Sequence, residues 1–297
     1  MGIRMPQAYH VGAGQVVSAR AAENLSREWE CSAPTCRVSV TYVREHKRAS
    51  TDGTYVTPAH FRLGSNVDHA VSCLYNLTGY VQQVYAQSNS DVLEELANGQ
   101  YEFRLHLLSG PLRALGFANR ARRAGTAEDP LPGQQLDPYL SVLGQVLELR
   151  AAVYADALLA DLIQLKLEGR SIPWDEFYFA FGEYFDSYDL TRRQDRAPHL
   201  MCLEGDVGRV VPANSPEGVP IVYLKGHTRA PAEGVTEVIS PRVRFRNGVP
   251  TPRAGARVLV FGDWYAEREG VGDGEGQKTF LRLATNVYRS GQVLVLP

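Results

Sequence analysis

Residues 31–73 have the sequence CSAPTCRVSVTYVREHKRASTDGTYVTPAHFRLGSNVDHAVSC. Two pairs of metal-binding side chains bracket this segment, with Cys31 and Cys36 at its beginning and His69 and Cys73 at its end. Three thiolates and one imidazole form a ligand set that suits tetrahedral Zn²⁺. We therefore predict that these four residues bind zinc and that the metal organises the N-terminal part of the chain.

The predicted zinc site is structural rather than catalytic. Pro34, inside the first pair, favours a tight turn that brings both sulfurs to one ion. The spacing of His69 and Cys73 predicts that they share one face at the start of a helix. Four protein ligands leave no open position for water, as in structural sites. The alternative is a group of buried thiols beside a hydrogen-bonded histidine; if His69 is not a ligand, His60 is the substitute.

The segment between the two ligand pairs carries strand signals. Residues 37–44 alternate in polarity, and residues 55–63 form a second short strand that Pro58 interrupts. A strand pair between two ligand pairs is a common layout of zinc modules. We predict a zinc-binding α+β module over residues 1–108.

The same segment resembles the N-terminal zinc-binding region of bacterial competence proteins of the CoiA type. That region carries a cysteine pair followed by a His-Phe-x-His segment, and Cys31, Cys36 and His60-Phe61 match these elements. The cysteine spacing is longer here, Leu63 stands at the position of the second histidine, and the family's nuclease-like domain has no counterpart. The resemblance implies a bacterial protein linked to DNA uptake, mobile elements or defence.

The middle of the chain predicts a linker and then helices. Residues 109–136 are rich in Gly, Pro, Arg and Ala, which is typical of a linker. Leucines recur at helical spacing over residues 138–168, and aromatic residues crowd the segment 174–185. We predict a central helical hairpin over residues 137–195 that packs through its aromatic face.

The C-terminal part, residues 196–297, carries no helical periodicity. Turns rich in Pro and Gly separate five strand candidates, at residues 199–211, 219–226, 236–246, 256–269 and 279–296. Five strands in about one hundred residues predict a small all-β barrel or a sandwich. An OB-like barrel is one option, although no helix is evident between the third and fourth strands. The predicted fold class is therefore α+β multidomain.

The segment RVRFR places three arginines on one face of a predicted strand. Arg242, Arg244 and Arg246 alternate with two apolar residues and could contact a phosphate backbone. Aromatic residues on neighbouring strands could stack on bases, and we place Trp264 and Tyr265 first among them, with Tyr223 and Tyr288 as further candidates. The alternative is a solvated outer face with the aromatic rings in the core.

The charges of the chain are unevenly distributed. The formal net charge is −2, but residues 1–80 carry +2, residues 81–195 carry −7 and residues 196–297 carry +3. Two mildly basic ends flank an acidic middle, which permits local contact with an anionic partner.

Several classes of protein are disfavoured. No stretch approaches the eighteen or more apolar residues of a membrane span, and residues 1–14 lack the apolar core of a signal peptide. We expect no membrane partner and a reducing, cytoplasmic setting, where clustered cysteines bind metal more often than they form disulfides. We find no nucleophile–base pair and no converging carboxylates for Mg²⁺, so an enzyme with a cryptic site is the least favoured of three classes and stays open.

Two functions remain. The first is a zinc-stabilised bacterial protein that binds nucleic acid through its basic end modules. The second is a non-enzymatic protein–protein adaptor whose acidic, aromatic-rich middle docks a protein partner.

Overall fold

The computed structural model describes most of the chain, and every structural statement below concerns the described part. It covers residues 4–25, 28–50, 53–57, 59–64, 67–88, 91–123, 136–153, 159–193, 199–213, 218–230, 236–246, 248–271 and 278–296. The chain divides into two compact units, Met1–Ser88 with Gln145–Leu162, and Asn89–Gly144 with Ile163–Pro297. This division differs from the segments expected from composition, because its boundary falls inside a helix rather than at a Pro- or Gly-rich stretch.

The first unit consists mainly of short strands. Its elements are β1 (Gln7–His10), β2 (Gln15–Ser18), β3 (Trp29–Cys31), β4 (Val40–Val43), β5 (His46–Ser50), β6 (Gly53–Thr57), β7 (His60–Leu63), α1 (Leu77–Gln87) and the second half of α3 (Leu136–Val153). They form a three-stranded sheet in the order β2-β1-β3 and the pairs β4-β7 and β5-β6. The predicted strand pair between the two ligand pairs is confirmed, since β4 and β7 are antiparallel neighbours.

A small aromatic core holds the first unit together. The ring centroids of His10 and Trp29 are 4.6 Å apart, and those of Trp29 and Phe61 are 4.9 Å apart. Cys31 and Cys73 belong to the same buried cluster. The candidate metal ligands are therefore part of the core of this unit and not an addition to its surface.

The segment of His69 and Cys73 is not helical, so the prediction that the pair lies at a helix start is wrong. Cys73 N donates to Ala70 O at 2.9 Å in a turn. Helix α1 begins only at Leu77, where the Asn76 side chain accepts a hydrogen bond from Gly79 N at 3.1 Å. An asparagine at this position satisfies a free N–H of the first helical turn, and this cap fixes the start of the helix.

The second unit contains the remaining elements. These are β8 (Leu93–Glu95), β9 (Tyr101–Arg104), α2 (His106–Arg123), the first half of α3, β10 (Ile163–Leu167), β11 (Arg170–Ile172), α4 (Trp174–Phe177), β12 (Tyr178–Phe179), α5 (Tyr184–Arg192), β13 (Met201–Val211), β14 (Ile221–Leu224), β15 (His227–Arg229), β16 (Thr236–Ile239), β17 (Arg242–Phe245), β18 (Arg257–Gly262), β19 (Tyr265–Val271), β20 (Lys278–Val287), a 3-10 turn (Ser290–Gln292) and β21 (Val293–Val295).

The predicted linker over residues 109–136 is helical in its first half. Helix α2 extends to Arg123, and Leu108 and Leu112 on its first turns are buried. Pro111 lies inside this helix, where it ordinarily disfavours helical structure, so burial of the leucines outweighs the local preference. Residues 124–135, the rest of the predicted linker, lie outside the described part.

The predicted helical hairpin over residues 137–195 is only partly helical. Helix α3 ends at Val153, and residues 163–172 form the antiparallel pair β10-β11 of the sheet β11-β10-β9-β8. The turn of this pair is Glu168-Gly169, with φ angles of 51° and 80°, a conformation that glycine favours at the second position. Alternate residues of β10 are buried, which is the period of a strand and not of a helix.

Strand pairing connects five strands of the large C-terminal sheet in a ring, named here the barrel. β13 is antiparallel to β14, β14 is antiparallel to β17, and β17 runs parallel to β20. β20 pairs with β19, and β18, which precedes β19, pairs back with β13. Only Asp263 and Trp264 separate β18 from β19, so β18 and β19 together act as one bent strand. The pairing thus returns to its first strand.

Alternation along the barrel strands separates its core from its outer surface. Apolar residues at every second position form one buried cluster, which includes Val207, Val222, Leu224, Val243, Phe245, Val258, Val260, Leu281, Leu283 and Val287. On β17 and at Lys278–Arg282 of β20 the residues between them are partly or fully exposed, whereas β18 and the first half of β13 are buried on both faces. Burial of one such side chain stabilises the fold by roughly 1.5–3 kcal/mol, so the alternation on β17 and β20 fixes which face of these two strands is available to a ligand.

A buried carboxylate links the barrel to the segment that precedes it. Glu204 on β13 accepts hydrogen bonds from the Tyr178 hydroxyl at 2.5 Å and from Arg257 Nε at 2.6 Å. Tyr184 Oη of α5 donates to the Glu204 carbonyl at 3.0 Å. Because both carboxylate oxygens have partners, this group serves the structure and is not a free acid or base.

Candidate metal centre and candidate nucleic-acid interface

Two backbone turns deliver the four candidate metal ligands to one place. Cys31 ends β3, and its N–H donates to Val38 O at 2.7 Å. The chain then turns through Pro34, with Cys36 N donating to Ala33 O at 3.0 Å. The turn containing Cys73 delivers the second pair, so that the ligand atoms of Cys31, Cys36, His69 and Cys73 all lie within 4.8 Å of one another.

Three of the six distances between these atoms are close to the edges of a tetrahedron around a metal ion. Cys31 Sγ and Cys73 Sγ are 3.6 Å apart, and His69 Nδ1 is 3.4 Å from Cys36 Sγ and 3.6 Å from Cys73 Sγ. Tetrahedral zinc with Zn–S bonds of ~2.3 Å and Zn–N bonds of ~2.0 Å places two sulfurs about 3.8 Å apart and sulfur and nitrogen about 3.6 Å apart. The cluster could therefore hold a metal ion, with His69 Nδ1 as the nitrogen ligand.

The two buried thiols of the cluster have opposite pKa shifts. Cys31 and Cys73 are fully buried, and Ala70 N donates to Cys36 Sγ at 3.4 Å. The hydrogen bond shared with Cys31 lowers the pKa of the Cys73 thiol to about 4, although burial opposes this shift. The same hydrogen bond and burial raise the pKa of Cys31.

A few neighbouring groups orient the ligands. Asn76 Nδ2 donates to His69 O at 3.1 Å, and the same side chain caps α1. Arg37, directly after Cys36, has a φ of 48° and its guanidinium carbon lies 3.6 Å from the centroid of the Tyr9 ring. This cation–π contact accompanies a backbone conformation that is uncommon for a residue with a side chain.

The other cysteine and the substitute histidine lie outside the cluster. Cys202 is buried on β13 in the second unit, and His60 is on β7. Neither belongs to the group of side chains that could share a metal ion.

The three arginines of RVRFR lie on the outer face of the barrel. Arg242, Arg244 and Arg246 are partly exposed, whereas Val243 and Phe245 between them are buried. The predicted alternation of this strand is therefore confirmed. Their neighbours in register are Tyr223 and Ile221 of β14 on one side and Ala284 and Asn286 of β20 on the other.

Neutral groups orient two of these guanidinium groups. Arg244 Nη1 donates to the Tyr265 hydroxyl, so its side chain reaches across β20. Arg246 Nε donates to Asn286 Oδ1 at 3.1 Å. Both contacts hold a cation in place without a countercharge from the partner. In the described part, Nε and Nη2 of Arg242 are buried and have no hydrogen-bond partner.

Trp264 is not available for base stacking, and its prediction as a stacking residue is corrected. Its side chain is 3% exposed, belongs to the barrel core, and donates from Nε1 to Met201 O at 3.2 Å. Tyr265 points to the opposite face because consecutive residues of a strand alternate. Tyr265 is partly exposed, but its hydroxyl already engages Arg244. Tyr288 is buried.

The structure adds basic residues and one aromatic residue to the arginine-bearing face. Arg209 of β13 has its guanidinium carbon 4.4 Å from the centroid of the Tyr223 ring. Lys278, Phe280 and Arg282 alternate on β20 with the buried residues Thr279 and Leu281. In the sequence, the alternation of these three residues with others in KTFLRL predicts a strand. It does not show which face of that strand points outward.

The aromatic residues of the middle segment do not form an exposed surface. Those at positions 174, 177, 178, 179, 184 and 185 are all buried, and only Phe181 among the predicted set is exposed. Most of these side chains therefore pack in the core, and the adaptor hypothesis stays a prediction.

Comparison with solved structures shows a similarity to one single-stranded-DNA-binding protein, whereas comparison with protein families and curated proteins shows none. No family model and no curated protein matches this chain. A chain in a structure described as Plasmodium falciparum SSB complex with ssDNA is 15% identical, with a TM-score of 0.22, over 35% of this chain and 100% of that chain. A likeness at this level carries no argument, so the description of the barrel rests on its strand pairing. Within the described residues, no helix combines the length and apolar character needed to cross a membrane.

Proposed function

We propose that this protein binds nucleic acid through the arginine-bearing face of its barrel and that a structural Zn²⁺ ion supports its N-terminal unit. The observation that carries the proposal is the row Arg242, Arg244 and Arg246, of which two members are oriented by neutral partners. The roles in DNA uptake, mobile elements or defence that the CoiA-type resemblance implies stay predictions, as does a bacterial, cytoplasmic setting.

The strand order of the barrel supports an OB-like assignment. Numbered within the barrel, β13 is the first strand, β14 the second, β17 the third, β18 with β19 the fourth, and β20 the fifth. The order around the barrel is then one, two, three, five, four, with the third and fifth strands parallel. OB folds are five-stranded Greek-key barrels that bind oligonucleotides across their second and third strands. Here those are β14 and β17, which carry Tyr223 and the arginines.

The arginine row is tested by a salt titration. We expect the triple variant Arg242→Ala, Arg244→Ala, Arg246→Ala to bind a labelled oligonucleotide at least ~10-fold more weakly at low salt. The slope of log K against log salt should fall by about 2, because each lost contact with a single strand removes ~0.7. Fluorescence anisotropy at several salt concentrations measures both quantities.

The control is a variant with the same loss of charge. Arg113, Lys166 and Arg170 lie in the same unit but outside the barrel strands. Replacing these three by alanine should leave the salt slope within experimental error of the unmodified protein. Equal slopes for the unmodified protein and the triple variant of β17 would contradict the proposed interface.

The zinc proposal is tested by metal content and stability. Protein purified without chelator should contain one zinc per chain, and Cys31→Ser should lose the metal, because removal of one thiolate opens a closed four-ligand site. Metal binding supplies folding free energy to small modules, so the same variant should unfold more easily. Cys202→Ser, which replaces the cysteine outside the cluster, should keep its zinc. The assignment would be refuted if the unmodified protein, prepared without chelator, contained no metal and if Cys31→Ser melted at the same temperature as the unmodified protein.

A further inference from the structure

We infer that the nucleic acid bound by this barrel is single-stranded and that its bases stack on Tyr223 and Phe280. This inference rests on the proposed function and adds the class of ligand and the residues that contact its bases.

Phe280 is an exposed aromatic ring between two basic residues. Its side chain is 44% exposed on the outer face of β20. Lys278 and Arg282 lie two residues away on either side and therefore on the same face. A single exposed apolar side chain is common on protein surfaces, so the two flanking cations, and not the exposure alone, make this ring a candidate for base stacking.

Tyr223 has a similar basic environment, created by neighbouring strands. Arg209 of β13 contacts its ring, with 4.4 Å between the guanidinium carbon and the ring centroid. On the other side, Arg242 of β17 is its partner in register. Two of the aromatic side chains on this face are thus each flanked by two cationic groups, which suits a ligand that presents flat rings and phosphates in alternation.

The distance between the two rings fits a single strand that spans several nucleotides. β14 and β20 are separated by β17, which places them roughly 10 Å apart across the surface. Phe280 lies four residues along β20 from Ala284, the residue level with Tyr223, a further distance of roughly 13 Å. OB folds bind about 4–16 nucleotides, a length that covers this separation.

Stacking requires unpaired bases, and this decides between single-stranded and duplex ligands. In a duplex the flat faces of the bases are covered by their neighbours, so that only phosphates and groove edges are accessible to a protein surface. An arginine row alone would serve either ligand. The partly exposed ring of Tyr223 and the exposed ring of Phe280 contribute only if the bases can reach them.

The test compares aromatic variants on two probes, a fluorescein-labelled 20-nucleotide oligo-dT and a labelled 20-base-pair duplex. We expect Phe280→Ala and Tyr223→Ala each to weaken binding of oligo-dT ~10-fold and to leave duplex binding unchanged. The matched control is Phe181→Ala, because Phe181 is also 44% exposed but lies before α5, outside the barrel strands. This control should bind both probes like the unmodified protein.

A second variant at position 280 shows whether Phe280→Ala weakens binding only because the protein is misfolded. Phe280→Trp keeps an aromatic ring and should restore oligo-dT affinity, and its fluorescence should be quenched when oligo-dT binds. The three tryptophans of the chain, Trp29, Trp174 and Trp264, are all buried, so the new signal reports on position 280.

The outcomes separate this inference from the proposed function. If the β17 arginine variant weakens binding but Phe280→Ala and Tyr223→Ala do not, base stacking is refuted while the interface stands. Equal losses on oligo-dT and duplex would also overturn the inference. If the arginine variant binds both probes normally, the proposed function itself fails.

Discussion

Single residues determine where two chain segments can approach each other. Gly205 of β13 faces Tyr184 of α5, and a Cβ atom at this position would collide with Tyr184 Oη and lie 3.0 Å from Leu224 Cδ1. The absence of a side chain therefore permits the hydrogen bond from Tyr184 to the Glu204 carbonyl.

We expect Gly205→Ala to destabilise the protein by about 1–3 kcal/mol, the usual result of overpacking a core. Urea unfolding measures the change in free energy. In the double variant Gly205→Ala, Tyr184→Phe, where the hydroxyl is gone, part of this loss should be recovered. Gly144→Ala is the control, because nothing lies within 4 Å of a Cβ at this helical position and alanine should be neutral or stabilising there. A larger loss for Gly144→Ala than for Gly205→Ala would contradict the packing argument.

Residue chemistry was the most predictive part of the sequence. The three cysteines and the histidine that the sequence groups together do lie within 4.8 Å of one another, because their spacing in one short segment is typical of metal-binding side chains. For Trp264 and Tyr265, alternation shows that the two rings point to opposite faces but not which one points inward. The bend between β18 and β19 decides that, and it depends on pairing with distant strands.

At the level of elements, the N-terminus of α1 is coupled to the candidate metal cluster. A Cβ at Gly79, in the first turn of α1, would lie 2.7 Å from the carbonyl oxygen of Val71, which is between His69 and Cys73 in sequence. The helix can therefore cap on Asn76 and still pack against the ligand-bearing turn only if residue 79 is glycine.

We expect Gly79→Ala to weaken zinc binding by at least ~10-fold, because the added methyl group displaces the turn that carries two ligands. Competition with a chromophoric chelator measures the affinity. Gly99→Ser, at a turn with open space around the glycine but a positive φ of 77°, should destabilise its own hairpin without changing zinc affinity. Unchanged zinc affinity in Gly79→Ala would refute the coupling.

The helices and strands also show where the spacing of apolar residues in the sequence predicts the wrong element. The leucines that predicted one helix over residues 138–168 belong in part to α3 and in part to β10. Leu165 fits both a 3.6-residue period continued from α3 and the two-residue period of a strand. Only the pairing of β10 with β9 and β11 selects the strand, and β9 is about sixty residues away in sequence.

At the scale of the whole molecule, each of the two compact units contains a buried apolar cluster among its described residues. One cluster contains Cys31 and Cys73 and belongs to the first unit, and the other is the barrel core of the second unit. Each is a separate apolar core, and separate cores commonly unfold as separate cooperative units.

We therefore expect two transitions in calorimetry, and a chelator should move only one of them. Because metal binding contributes folding free energy to the first unit alone, that transition should shift downward by at least ~10 °C. Adding oligo-dT should raise the other transition, since a ligand stabilises the part to which it binds. A single transition that responds to both additions would contradict the independence of the two cores.

The chemistry and the strand periods of this protein follow directly from its amino-acid order. Ligand type, alternation and turn residues are local properties, which is why the metal cluster, the arginine face and the barrel strands could all be predicted. Other features depend on contacts between residues far apart in the chain. These are the closure of the barrel, the burial of Trp264, the exposure of Phe280, the split of the middle segment into helices and strands, and the non-helical turn at His69. They arise from burial of apolar surface and hydrogen-bonded strand pairing, which outweigh local preference wherever the two differ.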